Sequence, residues 1–333
     1  MSVDANADVI NGSFGTDRID YSNSNRALTI SLDTGTVTAK FQTGTLTGGF
    51  ASVPIYETKT VATLTSIEDA VGSPYDDSIT GSNAANVLEG GAGNDTLNGS
   101  GGNDTLVGGA GKDTLIGGTG VDTVVYSGSS TGMNIWLDAP LFSAADSPIL
   151  TGAARQITAS GSLVNEDTLT GIENVVGSAF DDVIKSNDKL NTIDGGNGND
   201  VLQSWVDGQN DVMNGGQGSD TIDYSAFGQS HGLQISLGEA GSDGSAYYWT
   251  AEDRVWTRHV EDTLNSIENV IGTSQDDGIG GNSGRNVLNG AGGNDFISGG
   301  GGGDTLTGGT GADTFWFGNI SDCILYTSPS PRD

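Results

Sequence analysis

Aspartate or asparagine recurs every nine residues, at 77, 86, 95, 104, 113 and 122, in a glycine-rich frame that reads GGAGNDTLN, GSGGNDTLV, GGAGKDTLI and GGTGVDTVV. A unit of nine residues cannot bury an apolar side chain by itself, so neighbouring units must stack, which predicts a solenoid. Within the unit GGxGxDxUx the glycines tolerate positive φ, so the turn folds back tightly and aims carbonyl oxygens inward. The closing aspartate adds a hard carboxylate of the kind calcium prefers. Two residues later an apolar side chain points into a core between stacked strands.

The U position tests this frame, because a chance Gly/Asp bias would not control it. Units close at Asp8, Asp17, Asp77 through Asp122, Asp182, Asn191, Asp200, Asp211, Asp220, Asp277, Asn286, Asp295, Asp304 and Asp313. Their U residues are Ile10, Ile19, Ile79, Leu88, Leu97, Leu106, Leu115, Val124, Ile184, Ile193, Leu202, Met213, Ile222, Ile279, Leu288, Ile297, Leu306 and Phe315. All are apolar in a chain that is 34% hydrophobic overall, so composition does not explain them.

These units resemble the repeats-in-toxin family, the haemolysin-type calcium-binding nonapeptide, most closely over 90 to 125 and 290 to 316. The resemblance implies an all-β fold, a parallel β-roll in which two nonapeptides make one coil and turns eighteen residues apart share a calcium ion. It implies as ligands the carbonyls of places two and four and the Asp of one turn, with the carbonyls of places one and three and the Asp of the next. Carried over by position, Gly91, Gly93 and Asp95 face Gly108, Ala110 and Asp113. Ser100, Gly102 and Asp104 face Gly117, Thr119 and Asp122, and Ala291, Gly293 and Asp295 face Gly308, Thr310 and Asp313. In the middle block the same places are Gly196, Gly198 and Asp200 with Asp220, and Asp304 is a further candidate in the last. Several calcium ions are therefore the expected cofactor.

Departures from the pattern weaken particular sites. Asn86, Asn191 and Asn286 each remove a charge, and Asp200 and Asp211 are eleven residues apart instead of nine. The first unit of each block, GSPYDD, GSAFDD or GTSQDD, lacks the glycine pair, so Asp77, Asp182 and Asp277 are weaker candidates than Asp95 or Asp113.

Composition agrees with a cation-binding scaffold. Acidic residues outnumber Lys and Arg 43 to 12 for a net charge of -31, and among the acids Asp exceeds Glu 34 to 9. Such charge makes nucleic acid and anionic membrane surfaces poor partners, since phosphate neutralisation requires clustered Lys and Arg, so no nucleic-acid partner is expected. A disordered acidic linker has similar composition, but the U positions argue against it. Glycine lacks the three-residue period of collagen. An EF-hand reading of Asp4, Asn6 and Asp8 fails at Val9 and Gly15.

Above the nonapeptide, a longer unit repeats three times, starting at TDRIDYS (16 to 22), VDTVVYS (121 to 127) and SDTIDYS (219 to 225). An alternating strand follows each, then a variable insert (about 34 to 62, 139 to 166 and 239 to 261), then a return segment, TLTSIEDAVGS, TLTGIENVVGS or TLNSIENVIGS. The expected organisation is a first super-repeat over 1–125 with its calcium block at 72–125, a second over 126–223 with its block at 177–223, and a third over 224–322 with its block at 272–317. Continuous stacking of these blocks predicts an elongated monomer. The third insert gathers Tyr247, Tyr248, Trp249 and Trp256. Such rings either pack on the solenoid, the favoured reading, or stack on the sugars of an extracellular glycan or cell surface.

Catalytic chemistry has little to stand on. The chain has two histidines, His231 and His259, and one thiol, Cys323, with neither HExxH nor GxSxG. No enzyme activity is expected. A cysteine-poor, calcium-dependent chain suits secretion into an extracellular space rich in calcium. The first residues, MSVDANADVI, lack the form of a secretory signal peptide, and no apolar run reaches membrane-spanning length. The family resemblance implies export through a one-step (type I) exporter that reads a C-terminal signal. Residues 323–333, CILYTSPSPRD, change composition abruptly and resemble a translated sequencing-library adapter. The expectation is an artefactual tail that replaces the natural continuation. The functional expectation is a calcium-binding repeat region of a secreted bacterial protein, folding on calcium into a rigid structural or adhesive module. The alternative is an accessory C-terminal module of a truncated secreted enzyme of protease, lipase or alginate epimerase type.

Overall fold

A computed structural model describes residues 7–48, 51–137, 152–157, 163–205, 208–225, 231–239, 242–252 and 255–318. The tail with Cys323, Asp4 and Asn6, most of the second insert and the Trp256 side chain lie outside the described residues. Every regular element among the described residues is a β-strand, as the nonapeptide period requires. The chain divides into two compact units, Met1–Gly128 with Ala139–Gln156 and Ser162–Asn174, and Ser129–Asp138 with Ile157–Gly161 and Val175–Asp333.

In the first unit, strands separated by eighteen residues pair in parallel and in register. Leu106 sits over Leu88, and Leu115 over Leu97, which in turn sits over Ile79. Consecutive nonapeptides alternate between two sheets. One runs through Ser78–Thr80, Thr96–Gly101 and Thr114–Thr119, the other through Asp69–Val71, Val87–Ala92, Thr105–Ala110 and Thr123–Val125. The U side chains of both point between them. Every U residue is buried except Ile10 and Phe315, which are half-buried. Burying a Leu or Ile is worth about 1.5–3 kcal/mol, so this apolar column is the main cohesive element of the roll.

The second unit repeats the arrangement. Ile184 lies under Leu202 and Leu202 under Ile222, while Ile279, Ile297 and Phe315 stack in the facing sheet. Between Asp200 and Asp220 the coil takes twenty residues instead of eighteen, and the register of Val201–Gln203 on Thr221–Asp223 is nevertheless kept. Among the described residues between these strands, 204, 205 and 208–210 belong to neither sheet.

The inserts leave the roll and return to it without breaking the column. In the first, Thr36–Gly48 and Ala51–Thr65 form an antiparallel hairpin, after which Leu64 stacks in parallel on Ile10. In the third, Gly244–Glu252 and Val255–Asn265 form another hairpin, and Leu264 stacks on Met213. Leu169 of the second return segment stacks on Leu115. The first and third inserts are thus each a detour inside a single coil. The outgoing strand also stays in register, since Ile30, Ile135 and Ile235 sit on Ile79, Ile184 and Ile279 at the start of the following block.

Candidate metal centres

Each full nonapeptide turn presents a fixed set of oxygens to the next coil. In the turn 90–95, Gly91 and Gly93 have φ of 116° and 121°, and their carbonyls face the turn 108–113. The approach is close: Gly91 O lies 2.0 Å from where a Cβ on Gly109 would sit, and Gly93 O 1.7 Å from the same point on Gly111. Ser100 and Gly102 face Gly118 and Gly120 in the same way, Gly196 and Gly198 face Gly216 and Gly218, and Ala291 and Gly293 face Gly309 and Gly311. At place two, Ser100 and Ala291 adopt φ of 76° and 69°, so the left-handed turn is kept even where glycine is not.

The aspartates form ladders along the roll. Oδ1 of Asp95 accepts the Asp77 N–H at 2.7 Å, Asp113 accepts that of Asp95 at 2.8 Å, and Asp122 that of Asp104 at 2.8 Å. Asp104 and Asp304 accept the N–H of Asn86 and Asn286. In the second unit Asp200, Asp220, Asp295 and Asp313 accept the N–H of Asp182, Asp200, Asp277 and Asp295. The second oxygen has a different fate. Oδ2 of Asp95, Asp104, Asp113, Asp122, Asp200, Asp220 and Asp295 is buried and accepts no hydrogen bond. Burying an unsatisfied polar atom costs about 1–3 kcal/mol, more for a charge, so a recurring orphan of this kind calls for a partner that a cation could supply.

The next coil points a carbonyl at the same place. Asp95 Oδ2 and Gly108 O lie 2.4 and 2.6 Å from the position of a Cβ on Gly90. Asp104 Oδ2 and Gly117 O do the same beside Gly99, Asp200 Oδ2 and Gly215 O beside Gly195, and Asp295 Oδ2 and Gly308 O beside Gly290. The place-three carbonyls of Ala110, Thr119 and Thr310 accept the N–H of Gly93, Gly102 and Gly293 at 2.9 Å. Each keeps a second lone pair for a metal. Among the described residues no three His, Cys, Asp or Glu side chains cluster as a metal site. Carboxylate and backbone oxygens from two turns match calcium's taste for six to eight oxygens.

Burial pushes these carboxyls up. Asp95 rises to about 7, with the charges of Asp113 and Asp77 adding to the effect and the hydrogen bond from the Asp77 N–H opposing it. Burial likewise takes Asp200 and Asp295 to about 7, and Asp104 and Asp220 to about 6.

The first and second turns of each block are built differently. Asp77 Oδ1 accepts the Leu28 N–H and the Ser73 hydroxyl, and its Oδ2 accepts the Ser73 N–H. Asp182 takes the same three donors from Met133 and Ser178, and Asp277 takes them from Leu233 and Thr273. Both oxygens are therefore satisfied by protein. At the second turn, Asn86 and Asn286 donate their amides to the carbonyls of Glu68 and Glu268. Asn191 donates to the Asn187 side chain.

The sequence reading missed Asp167 and Asp262, which continue the rows in the return segments. Asp167 accepts the Asp113 N–H and the Tyr126 hydroxyl, while Asp262 accepts the hydroxyls of Tyr224 and Ser204. These two rows end on a tyrosine. The signal was present, because YS and the acid before TL recur at matching places in the second and third copies, with Ala62 in the first. In the third insert, Arg258 lies over Tyr247, and Tyr248 stacks between His231 and His259. These rings pack within the chain, while Trp249 is 45% exposed.

Parallel coils, an apolar column and turns that converge oxygens define a β-roll of calcium-binding repeats. The RTX calcium-binding nonapeptide repeat matches residues 71–106, 89–124, 167–204, 205–226 and 280–315. Over these segments the chain carries RTX calcium-binding nonapeptide repeats, a calcium-binding repeat region that takes several Ca2+ ions. No curated protein matches the chain.

Proposed function

We propose that the protein is a secreted module that calcium folds into a rigid structural or adhesive scaffold. The buried, unpartnered Oδ2 atoms carry this reading. Without a cation, each full turn holds a desolvated carboxylate against the carboxylates of its neighbours. With one, facing turns share the ion, and binding free energy becomes folding free energy. The ions are assigned between the turns 90–95 and 108–113, 99–104 and 117–122, 195–200 and 215–220, and 290–295 and 308–313. Calcium at extracellular concentration supplies the positive charge, and the chain supplies the carbonyl cage and the ladder that spaces the carboxylates. Asp77, Asp182 and Asp277 act as structural corners in this reading, because their oxygens are already occupied by donors.

A scaffold without catalysis accounts for the remaining polar groups. The two histidines stack on Tyr248, most of the buried acids belong to the turns and their ladders, and Glu261 and Asp223 accept hydrogen bonds from Gly208 and from Gln203 and Ser225. Far-ultraviolet circular dichroism during a calcium titration tests the proposal. The chain is expected to be largely unstructured in chelator and to gain a β spectrum at millimolar calcium. An unchanged β spectrum in both would overturn it.

A further inference from the structure

At three places a nonapeptide turn is capped by the short return turn of an insert in place of another nonapeptide. The return turn bends at a left-handed residue, Ser66 (φ 51°), Gly171 (φ 63°) or Ser266 (φ 49°), and a glutamate follows two positions later. Glu68, Glu173 and Glu268 accept the N–H of Asp17, Asp122 and Asp220 at 2.9, 3.0 and 2.9 Å. Elsewhere in the ladder an aspartate Oδ1 makes that bond. The additional methylene of glutamate spans the gap left by a turn with fewer residues.

The orphan oxygen and the facing carbonyl are both retained. Asp122 is 0% exposed, its Oδ2 accepts no hydrogen bond, and Gly171 O comes to the same point beside Gly117, at 2.1 Å against 2.5 Å for Oδ2. Gly118 O faces Gly171 from the turn below. Asp220 is also 0% exposed with an unpartnered Oδ2, and Ser266 O lies 2.2 Å from the corresponding point on Gly215. Beside Gly12, Ser66 O and the orphan Asp17 Oδ2 meet at 2.1 and 2.4 Å. Glu68 and Glu268 lie outside the segments that match the nonapeptide repeat.

We infer that each return turn completes a further calcium site, built from the aspartate Oδ2, the return-turn carbonyl and the glutamate carboxylate. The inference rests on the reading that calcium sits between stacked turns, and it extends that reading to turns with no glycine frame. The short turn offers fewer backbone oxygens than a nonapeptide does, so water completes the six to eight that calcium takes. These sites therefore fill at higher calcium than the nonapeptide pairs. Their role is to fasten the returning end of each insert to the roll.

Native mass spectrometry across a calcium titration of the full chain counts the ions directly. The comparison is the parent, the triple variant Glu68→Gln/Glu173→Gln/Glu268→Gln, and Glu57→Gln, an exposed hairpin residue, as control. Glutamine keeps an oxygen for the aspartate N–H but loses the charge. At a calcium concentration that just saturates the parent, the triple variant is expected to hold three fewer ions while keeping its β spectrum, and the control to match the parent. An equal ion count in the triple variant and the parent would overturn the inference and leave the nonapeptide sites standing. Should the triple variant not fold, each single variant is expected to lack one ion, and a full complement in all three would overturn it equally. A parent that binds no calcium would instead overturn the calcium reading as a whole.

Discussion

Asp77 and Asp95 close turns that stack on one another, and both are buried, yet their surroundings differ in kind. Asp77 is enclosed by N–H and O–H donors from Leu28 and Ser73, while Asp95 has one donor and an oxygen facing the carbonyl of Gly108. The backbone explains the difference. The turn 72–77 contains no residue with positive φ, so Ser73 can point its N–H at its own aspartate, whereas left-handed Gly91 and Gly93 turn their carbonyls toward the next coil. Asn86 shows a third solution, in which the amide nitrogen carries the positive end to a carbonyl. The first two turns of a block thus complete themselves, and the later turns keep an unpartnered carboxylate oxygen.

The largest expected effect separates these turns by their backbone. Gly111→Ala places a Cβ where Gly93 O lies 1.7 Å away, at φ 146°. It should remove more than about 3 kcal/mol of the calcium-loaded stability, whereas Tyr75→Ala, in an exposed place of a first turn, should cost under about 1 kcal/mol. Urea unfolding in saturating calcium compares the two. Similar losses would mean the two kinds of turn are not distinct.

Proton binding gives the next contrast. Asp95, Asp200 and Asp295 sit near 7 in the fold against 3.8 for the ordinary group, so the calcium-free folded state binds protons that the unfolded chain does not. Their contribution to calcium-free stability is full below about pH 3.8 and is lost as pH rises through about 7. In chelator the β spectrum should therefore grow as pH falls from 8 to 5. In calcium, where proton and ion compete for the same oxygens, the calcium midpoint should rise over the same interval. A calcium-free spectrum indifferent to pH would contradict the environment described for these carboxyls.

Asparagine substitution should then act with opposite sign in the two kinds of turn. In Asp95→Asn the amide meets the Gly108 carbonyl, so the chain should be more stable in chelator and need more calcium to fold fully. Asp77→Asn sets an amide against N–H donors and should cost about 1–3 kcal/mol with or without calcium. Thermal melts of both variants in chelator and in calcium give the four signs. The smallest effect is expected from Asn86→Asp, which removes the bond to the Glu68 carbonyl and should raise the calcium dependence of the first block by a modest shift in midpoint.

What the sequence disclosed follows from how local each feature is. The nine-residue period, the buried column from Ile79 to Val124 and the aspartate ladders are set by residues nine or eighteen positions apart, and all were legible. The closed shell of Asp77 was not, because its decisive donor is the N–H of Leu28, brought there by a strand that precedes an insert. The same holds for Asp182 with Met133 and Asp277 with Leu233. Glu68, Glu173 and Glu268 carry no glycine frame to mark them as members of the ladder. Their only trace is the recurrence of Ile-Glu in all three return segments. The twenty-residue coil before Asp220 weakens the spacing argument on paper but not in the fold, since Val201–Gln203 still pairs in register with Thr221–Asp223.

The detours taken by the inserts have a practical meaning. Leu64 on Ile10, Leu169 on Leu115 and Leu264 on Met213 keep the spacing of ordinary coils however many residues intervene. Closing a longer loop costs little more than closing a short one, so each of these coils is a docking bay. A foreign hairpin whose two ends meet the same neighbouring strands could be grafted into any of them, with lineage or laboratory free to change the payload while the column and its carboxylates stay fixed.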